Sequence, residues 1–136
     1  MTEIRNPCGR LVTFRVIPPV DDNNSAQTAL ELRNTIAAVG GPVLVCADLT
    51  AARTFSPETT ERFVALMRSD NSKLERGALL VDAASATVQL QIERMVREAN
   101  LPARRTFRDR AELTAWMKPV LTPAEQAALA EFLPAL

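Results

Sequence analysis

Pro42-Val-Leu-Val-Cys-Ala-Asp48 and Gly77-Ala-Leu-Leu-Val-Asp82 decide the fold. Each is a short, continuous apolar run bounded by turn formers, the pattern of a strand covered on both faces. Such strands belong to the middle of a parallel sheet, so the segment between them has to be a helical crossover. That segment starts correctly: Ser56 stands at the N-cap, Pro57 at the first helical position and Glu58 at the positive end of the helix dipole. Phe63, Val64 and Met67 give it an apolar stripe.

The pattern repeats outward in both directions. Upstream, Arg10-Leu-Val-Thr-Phe-Arg-Val-Ile17 alternates in its middle and predicts a strand with part of one face exposed, ended by Pro18-Pro19. After the turn cluster Asp21-Asp-Asn-Asn-Ser25, Ala26, Ala29, Leu32, Ile36 and Val39 recur at helical spacing up to Gly40-Gly41. Downstream, Ser85 is expected to cap a helix with inner face Val88, Ile92, Met95, Val96 and Ala99. Arg104-Arg-Thr-Phe107 predicts a brief strand. Asp109 caps a helix carrying Leu113, Trp116 and Met117, and Thr122-Pro-Ala-Glu125 opens a last one. This order predicts an α/β fold with a four- to five-stranded, mostly parallel sheet and right-handed crossovers. One domain is expected over residues 1–136, with an N-terminal arm at 1–9 and an appended C-terminal helix at 120–136 that folds back on the core.

Composition removes whole classes of function. The 136 residues are 47% hydrophobic, enough for a full core, and 16 basic side chains balance 16 acidic ones. No net field draws the chain to nucleic acid, and the arginines are not interleaved with aromatic stacking platforms. No apolar run approaches the roughly 20 residues of a membrane span. The polar start Met1-Thr-Glu-Ile-Arg-Asn6 lacks a signal peptide's apolar segment, so a cytoplasmic protein is expected. Histidine and tyrosine are absent, which takes away the commonest general base, the usual metal ligand and every nucleophile–histidine relay. The four glycines fit neither a P-loop nor a dinucleotide fingerprint. Cys46 lies in an apolar run and Cys8 in a turn, which points to free thiols and no zinc site. A non-enzyme without cofactor or metal is the expectation.

Acidic residues nevertheless gather where strands end: Asp21 and Asp22, Asp48, and Asp82. Ligands of open parallel sheets bind at that edge, although aspartate also caps turns and helix starts there. Val20-Asp-Asp-Asn23 resembles the opening of response-regulator receiver domains, which implies a Mg²⁺-dependent phosphoacceptor on Asp21, Asp22 and Asp48. Two departures stand against it: Pro18-Pro19 interrupts the strand before the acids, and Arg108 stands where that family carries a lysine.

A broader resemblance covers most of the chain. Pro42-Val-Leu-Val-Cys-Ala-Asp-Leu-Thr50, Phe55-Ser-Pro57, Ala78-Leu-Leu-Val-Asp82, Arg94-Met-Val-Arg-Glu-Ala99 and Thr106-Phe-Arg-Asp109 through Ala115-Trp116 are similar, in order and spacing, to the STAS-like group. These are small relatives of anti-sigma-factor antagonists, distantly similar to the lipid-carrying Sec14 fold. The resemblance implies helices mainly on one face of the sheet and a non-enzymatic regulatory module that binds a protein partner. It also implies phosphorylation of a hydroxyl after the central strand. Ser56 is the first candidate and Thr54 the second, though Phe55-Ser-Pro-Glu58 replaces the Asp-Ser-Ser-Gly type sequence of the antagonists. Asp48, Arg53, Glu58, Arg94 and Arg97 are the partner-binding candidates, and a homodimer is a further candidate assembly. The alternative function is a carrier or sensor of a small apolar ligand or lipid, held in a groove between helices and sheet.

Overall fold

A computed structural model describes residues 2–134. Strand β3 (Val43–Leu49) pairs in parallel with β4 (Leu74–Val81), Ala47 lying opposite Leu79, so the two decisive runs are neighbours in one layer. On one side β3 pairs in parallel with β2 (Leu11–Arg15), and on the other β4 pairs in parallel with β5 (Arg104–Phe107). The fifth strand is β1 (Glu3–Cys8), antiparallel to β2, and the sheet order is β1-β2-β3-β4-β5.

The segment expected as an N-terminal arm is therefore an edge strand. Its polar, proline-containing sequence hides it, and those features suit an edge, where Pro7 has no ladder bond to donate and the register shifts between Arg5 and Cys8. Strand β4 also starts earlier than its apolar run, because Leu74-Glu75-Arg76 extends the ladder beside Val43 and Leu44.

A sheet that grows in one direction by right-handed crossovers places all its crossover helices on one face. Helices α1 (Ser25–Val39), α2 (Pro57–Asp70) and α3 (Ala86–Ala99) do so, burying Phe63, Val64, Ile92 and Met95 against Phe14, Ala47, Leu79 and Val81. The opposite face is not bare. Helix α4 (Arg110–Met117), a 3₁₀ turn (Lys118–Val120) and α5 (Pro123–Phe132) bring Leu113, Met117, Leu129 and Leu133 onto Leu11, Leu44, Cys46 and Leu80. This corrects the expectation that β2 leaves part of a face exposed: Leu11 to Phe14 are all buried. Burial also pushes the Cys46 thiol well up, out of the reactive range.

The helix-start signals mostly work as read. Ser56 Oγ accepts from Thr59 N at 3.1 Å, and Asp109 Oδ1 from Ala111 N at 2.8 Å. Ser85 is the exception: it occupies the N-cap of α3 without a side-chain bond to it, while Asp82 Oδ1 takes the Ala84 N–H at 2.9 Å. Thr122 and Glu125 form a full capping box on α5.

Glu125 does more than cap. It is 1% exposed, and its Oε2 accepts Arg10 N at 2.8 Å, fixing the β1–β2 turn beneath α5. A Cβ on Gly9, where φ is +52°, would come within 2.6 Å of that oxygen. The other end of α5 is held by arginines from elsewhere: Arg15 donates to Phe132 O, and Arg110 to Ala130 O at 2.8 Å and Pro134 O at 2.9 Å.

Burial alone would raise the Glu125 pKa, but the Thr122 and Arg10 N–H groups, the Thr122 hydroxyl and the Arg10 charge outweigh it and hold the carboxyl below its ordinary 4.5. Its folded value is thus the lower one, so its stabilisation is present above the unfolded value and fades as pH falls through the folded one. Glu125→Ala, which strands two backbone donors, is expected to cost about 2 kcal/mol in urea unfolding at neutral pH. The gap to wild type should narrow on acidification below 4.5, as the charge-dependent part is lost.

Candidate functional site

The β2–α1 loop and the first turn of α2 meet at the carboxyl edge of the sheet. Within the loop, Asp21 Oδ1 accepts from Asn23 N and Asn24 N, both at 2.9 Å, and this turn delivers Asp22 toward α2. Asp22 Oδ1 accepts from Ser56 Oγ and, at 2.8 Å, from Thr59 Oγ1. Ser25 Oγ lies 3.3 Å from Thr59 Oγ1 and accepts from Arg62 Nη1.

One proton per hydroxyl orders this cluster. Thr59 spends its proton on Asp22, so Ser25 is the donor to Thr59, and the chain runs Arg62 to Ser25 to Thr59 to Asp22. Ser25 and Thr59 are both 0% exposed, whereas Ser56 is half-buried and Asp22 exposed. A buried polar base thus carries a reachable hydroxyl–carboxylate pair. The Ser56 bond first, then the Thr59 bond, hold the Asp22 carboxyl below its ordinary 3.8. At neutral pH Asp22 is an anion that receives a proton donor from Ser56.

Beside the pair lies a surface depression of about 320 Å³ lined by Pro18, Pro19, Arg53, Thr54 and Phe55. Arg53, Thr54 and Glu58 are exposed around Ser56, so these four sequence candidates come together. The other candidates do not join them. Asp48 is 4% exposed on the α5 face, where it receives Arg15 Nε at 2.9 Å, Thr50 N at 3.0 Å and Thr50 Oγ1 at 2.7 Å. Its oxygens are bonded within the fold under α5, so Asp48 lies apart from the Ser56 group. Arg94 and Arg97 are exposed toward the far end of α3, and Arg94 pairs with Glu98 one turn on at 3.1 Å.

The aspartates of the receiver-like expectation are likewise not gathered into a metal site. Asp21 is spent on its turn, Asp22 on hydroxyls and Asp48 on the other face of the sheet. Among the described residues no group of three His, Cys, Asp or Glu side chains is placed to hold a metal ion. Nor is any helix among them long and apolar enough to cross a membrane. No family model, curated protein or solved structure matches the chain.

The sequence alone does not mark Ser25, Thr59 and Arg62 as members of this cluster. Thr59 carries a weak signal, three residues after an N-cap serine. The pairing with Asp22 spans 34 to 37 residues and leaves no local trace. With the Ser56 bond as the main cause of the lowered pKa, a carboxyl-detected NMR titration should place the Asp22 midpoint below 3.8 in wild type and return it toward 3.8 in Ser56→Ala. Identical midpoints in the two proteins would refute that assignment.

Proposed function

We propose that this chain is a non-enzymatic, STAS-like interaction module whose binding of a protein partner is controlled by phosphorylation of Ser56. The observation that carries the proposal is the bond from Ser56 Oγ to Asp22 Oδ1, which joins two loops at an exposed edge. Phosphoryl transfer from a nucleoside triphosphate forms an O–P bond at Ser56 Oγ, breaks the terminal phosphoanhydride bond and releases the hydroxyl proton. The donor that Asp22 receives is thereby replaced by a group of charge near −2.

Attraction becomes repulsion at one contact. The Glu58 and Thr59 N–H groups in the first turn of α2, where Pro57 has none to give, and Arg62 favour the phosphate, while Asp22 and the Glu58 carboxylate oppose it. Ser56 belongs to α2 and Asp22 to the β2–α1 loop, so the loop has to give way. The rim formed by Arg53, Thr54 and the depression beside Pro18-Pro19 changes with it, which makes that rim the partner surface in this proposal. Thr54, exposed and without a place in the hydroxyl chain, is the weaker acceptor. The resemblance in segment order to antagonists of anti-sigma factors points to the same serine.

Three variants separate charge from capping. Ser56→Asp and Ser56→Asn both retain an N-cap acceptor, and only the first adds a charge against Asp22. Ser56→Ala should lose about 1 kcal/mol of stability as a missing cap and leave partner binding intact. With the partner captured from native lysate by the wild-type chain, Ser56→Asp is expected to change affinity at least about tenfold, the scale of one charge-assisted contact. Ser56→Asn should behave as wild type. Equal affinities for Ser56→Asp and Ser56→Asn would remove the switch.

A further inference from the structure

Arginines and aromatic rings that are not interleaved along the chain meet in the fold. On the face of the sheet covered by α4, Arg76 from β4 and Arg105 from β5 both lie over the Trp116 ring, at 5.0 and 5.5 Å from its centroid. Phe107 packs against the same indole at 5.5 Å between centroids, and Arg105 lies over the Phe107 ring as well, at 5.6 Å. Register explains the meeting. Ala78, which belongs to the core under α4, pairs with Arg105, and Arg76 stands two residues before Ala78, so both arginines leave the sheet on that face. Arg105 is exposed, whereas Arg76 and Trp116 are half-buried, and the group reaches solvent.

The two cations lack a counter-ion. Ion pairs among the described residues join Arg10 to Glu75, Arg15 to Asp48, Arg62 to Glu58 and Arg94 to Glu98, and include neither Arg76 nor Arg105. The acids nearest in the chain are spent elsewhere or stand apart. Glu75 is held by Arg10 at 2.8 Å, Asp109 caps α4 through the Ala111 N–H, and Glu112, one turn before Trp116, is in no ion pair. Arg76 gives one N–H to Trp116 O at the end of α4, while none of the five N–H groups of Arg105 meets an acceptor among the described residues. A cation–π contact holds the charge and consumes no donor. Two like charges held on one ring with most of their donors unspent make a site short of negative charge.

We propose that Arg76, Arg105 and Trp116 form a docking site for an acidic protein segment, whose neighbouring aspartate or glutamate carboxylates are received by the two guanidiniums. The planar guanidinium fork matches a carboxylate in two-bond geometry, and arginines already held on the indole lose less rotamer freedom on binding. Nucleic acid fits less well. The chain carries no net charge to hold a polyanion, and a base would have to displace the guanidiniums to stack on the indole. The site and α2 lie on opposite faces of the sheet, so it stands or falls separately from the switch at Ser56.

Trp116 is the single tryptophan of the chain and reports on its own site. The full chain is titrated with a blocked oligoglutamate peptide, the matching oligoglutamine peptide and a short oligothymidylate, followed by tryptophan fluorescence and by the indole Nε1–H signal in NMR. Oligoglutamate is expected to give a saturable change that weakens as salt is added, and oligoglutamine none. Arg105→Gln, a substitution at an exposed position, should weaken oligoglutamate at least about tenfold, the effect of one lost bond between charged groups. Arg5→Gln, exposed on the far edge strand β1, should bind as wild type. Absence of a saturable change with oligoglutamate up to about 1 mM, equal responses to the two peptides, unchanged affinity in Arg105→Gln, an equal loss in Arg5→Gln, or tighter binding of oligothymidylate would each overturn the proposal.

Discussion

A strand covered on both faces has no water to fall back on, so every one of its backbone N–H and C=O groups must be met by a neighbouring strand. Strand β3 is in that position. Its parallel partners β2 and β4 meet those groups, and the ladder continues past the strand ends, with Val16 N bonded to Asp48 O at 3.1 Å and Val43 N to Lys73 O at 2.8 Å. Parallel partners cannot be joined by tight turns, which forces the crossover helices. Right-handed crossovers along an unreversed strand order then put α1, α2 and α3 on one face. The carboxyl edge where Ser56 and Asp22 meet is a consequence of that sequence of constraints.

The second face poses the remaining problem, and polar groups solve it as much as apolar ones. Leu11, Leu44, Cys46 and Leu80 would meet solvent without α4 and α5. Helix α5 has ten residues and would be marginal in isolation. It is fixed at its start by Glu125, which also holds the β1–β2 turn, and at its end by Arg15 and Arg110. Arg15 is also paired with buried Asp48 and lies over the Phe132 ring at 4.6 Å, so a charge inside β3 and the C-terminal helix depend on one guanidinium. Removing Asp48 would leave Arg15 with its ring and carbonyl contacts but without its counter-ion. A partly buried pair broken on one side costs more than the intact pair contributes.

What the sequence discloses and what it withholds divide along the range of the interactions. Helix starts at Ser56, Asp109 and Thr122 are written within four residues, and the runs at Val43 and Ala78 declare two-sided burial without reference to any other segment. Strand β1 escapes because an edge strand with Pro7 and Arg5 has no periodic signature. Between Glu93 and Lys118 seven basic side chains stand against four acidic ones, an excess that would make a charged face only if the arginines were all free. In the structure Arg104 is buried against Asn71, Arg110 caps α5, and Arg105 lies over the Phe107 and Trp116 rings at 5.6 and 5.5 Å. Asp48 is the same lesson for a single residue: an acid at the end of a strand is equally able to serve a ligand or an arginine, and only the neighbouring strand decides.

The polar groups at Ser56 and at Asp70 are placed in physically opposite ways, and the difference bears on what each can do. At Ser56 every group has a partner, but the pair is reachable by solvent and rests on a buried hydroxyl base. A modification there changes the sign of one contact while α2 keeps its packing through Phe63 and Val64. At Asp70 the oxygen is buried and, among the described residues, without a hydrogen-bond partner, while the charges of Lys73, Arg104 and Arg33 oppose the effect of burial on the carboxyl. The first arrangement suits a surface that changes its neighbours when charge is added. The second suits an interior acid whose charge is offset by neighbouring cations, out of reach of solvent. A single α/β core can accommodate both, since one draws on the ends of the strands and the other on the space beneath the helices.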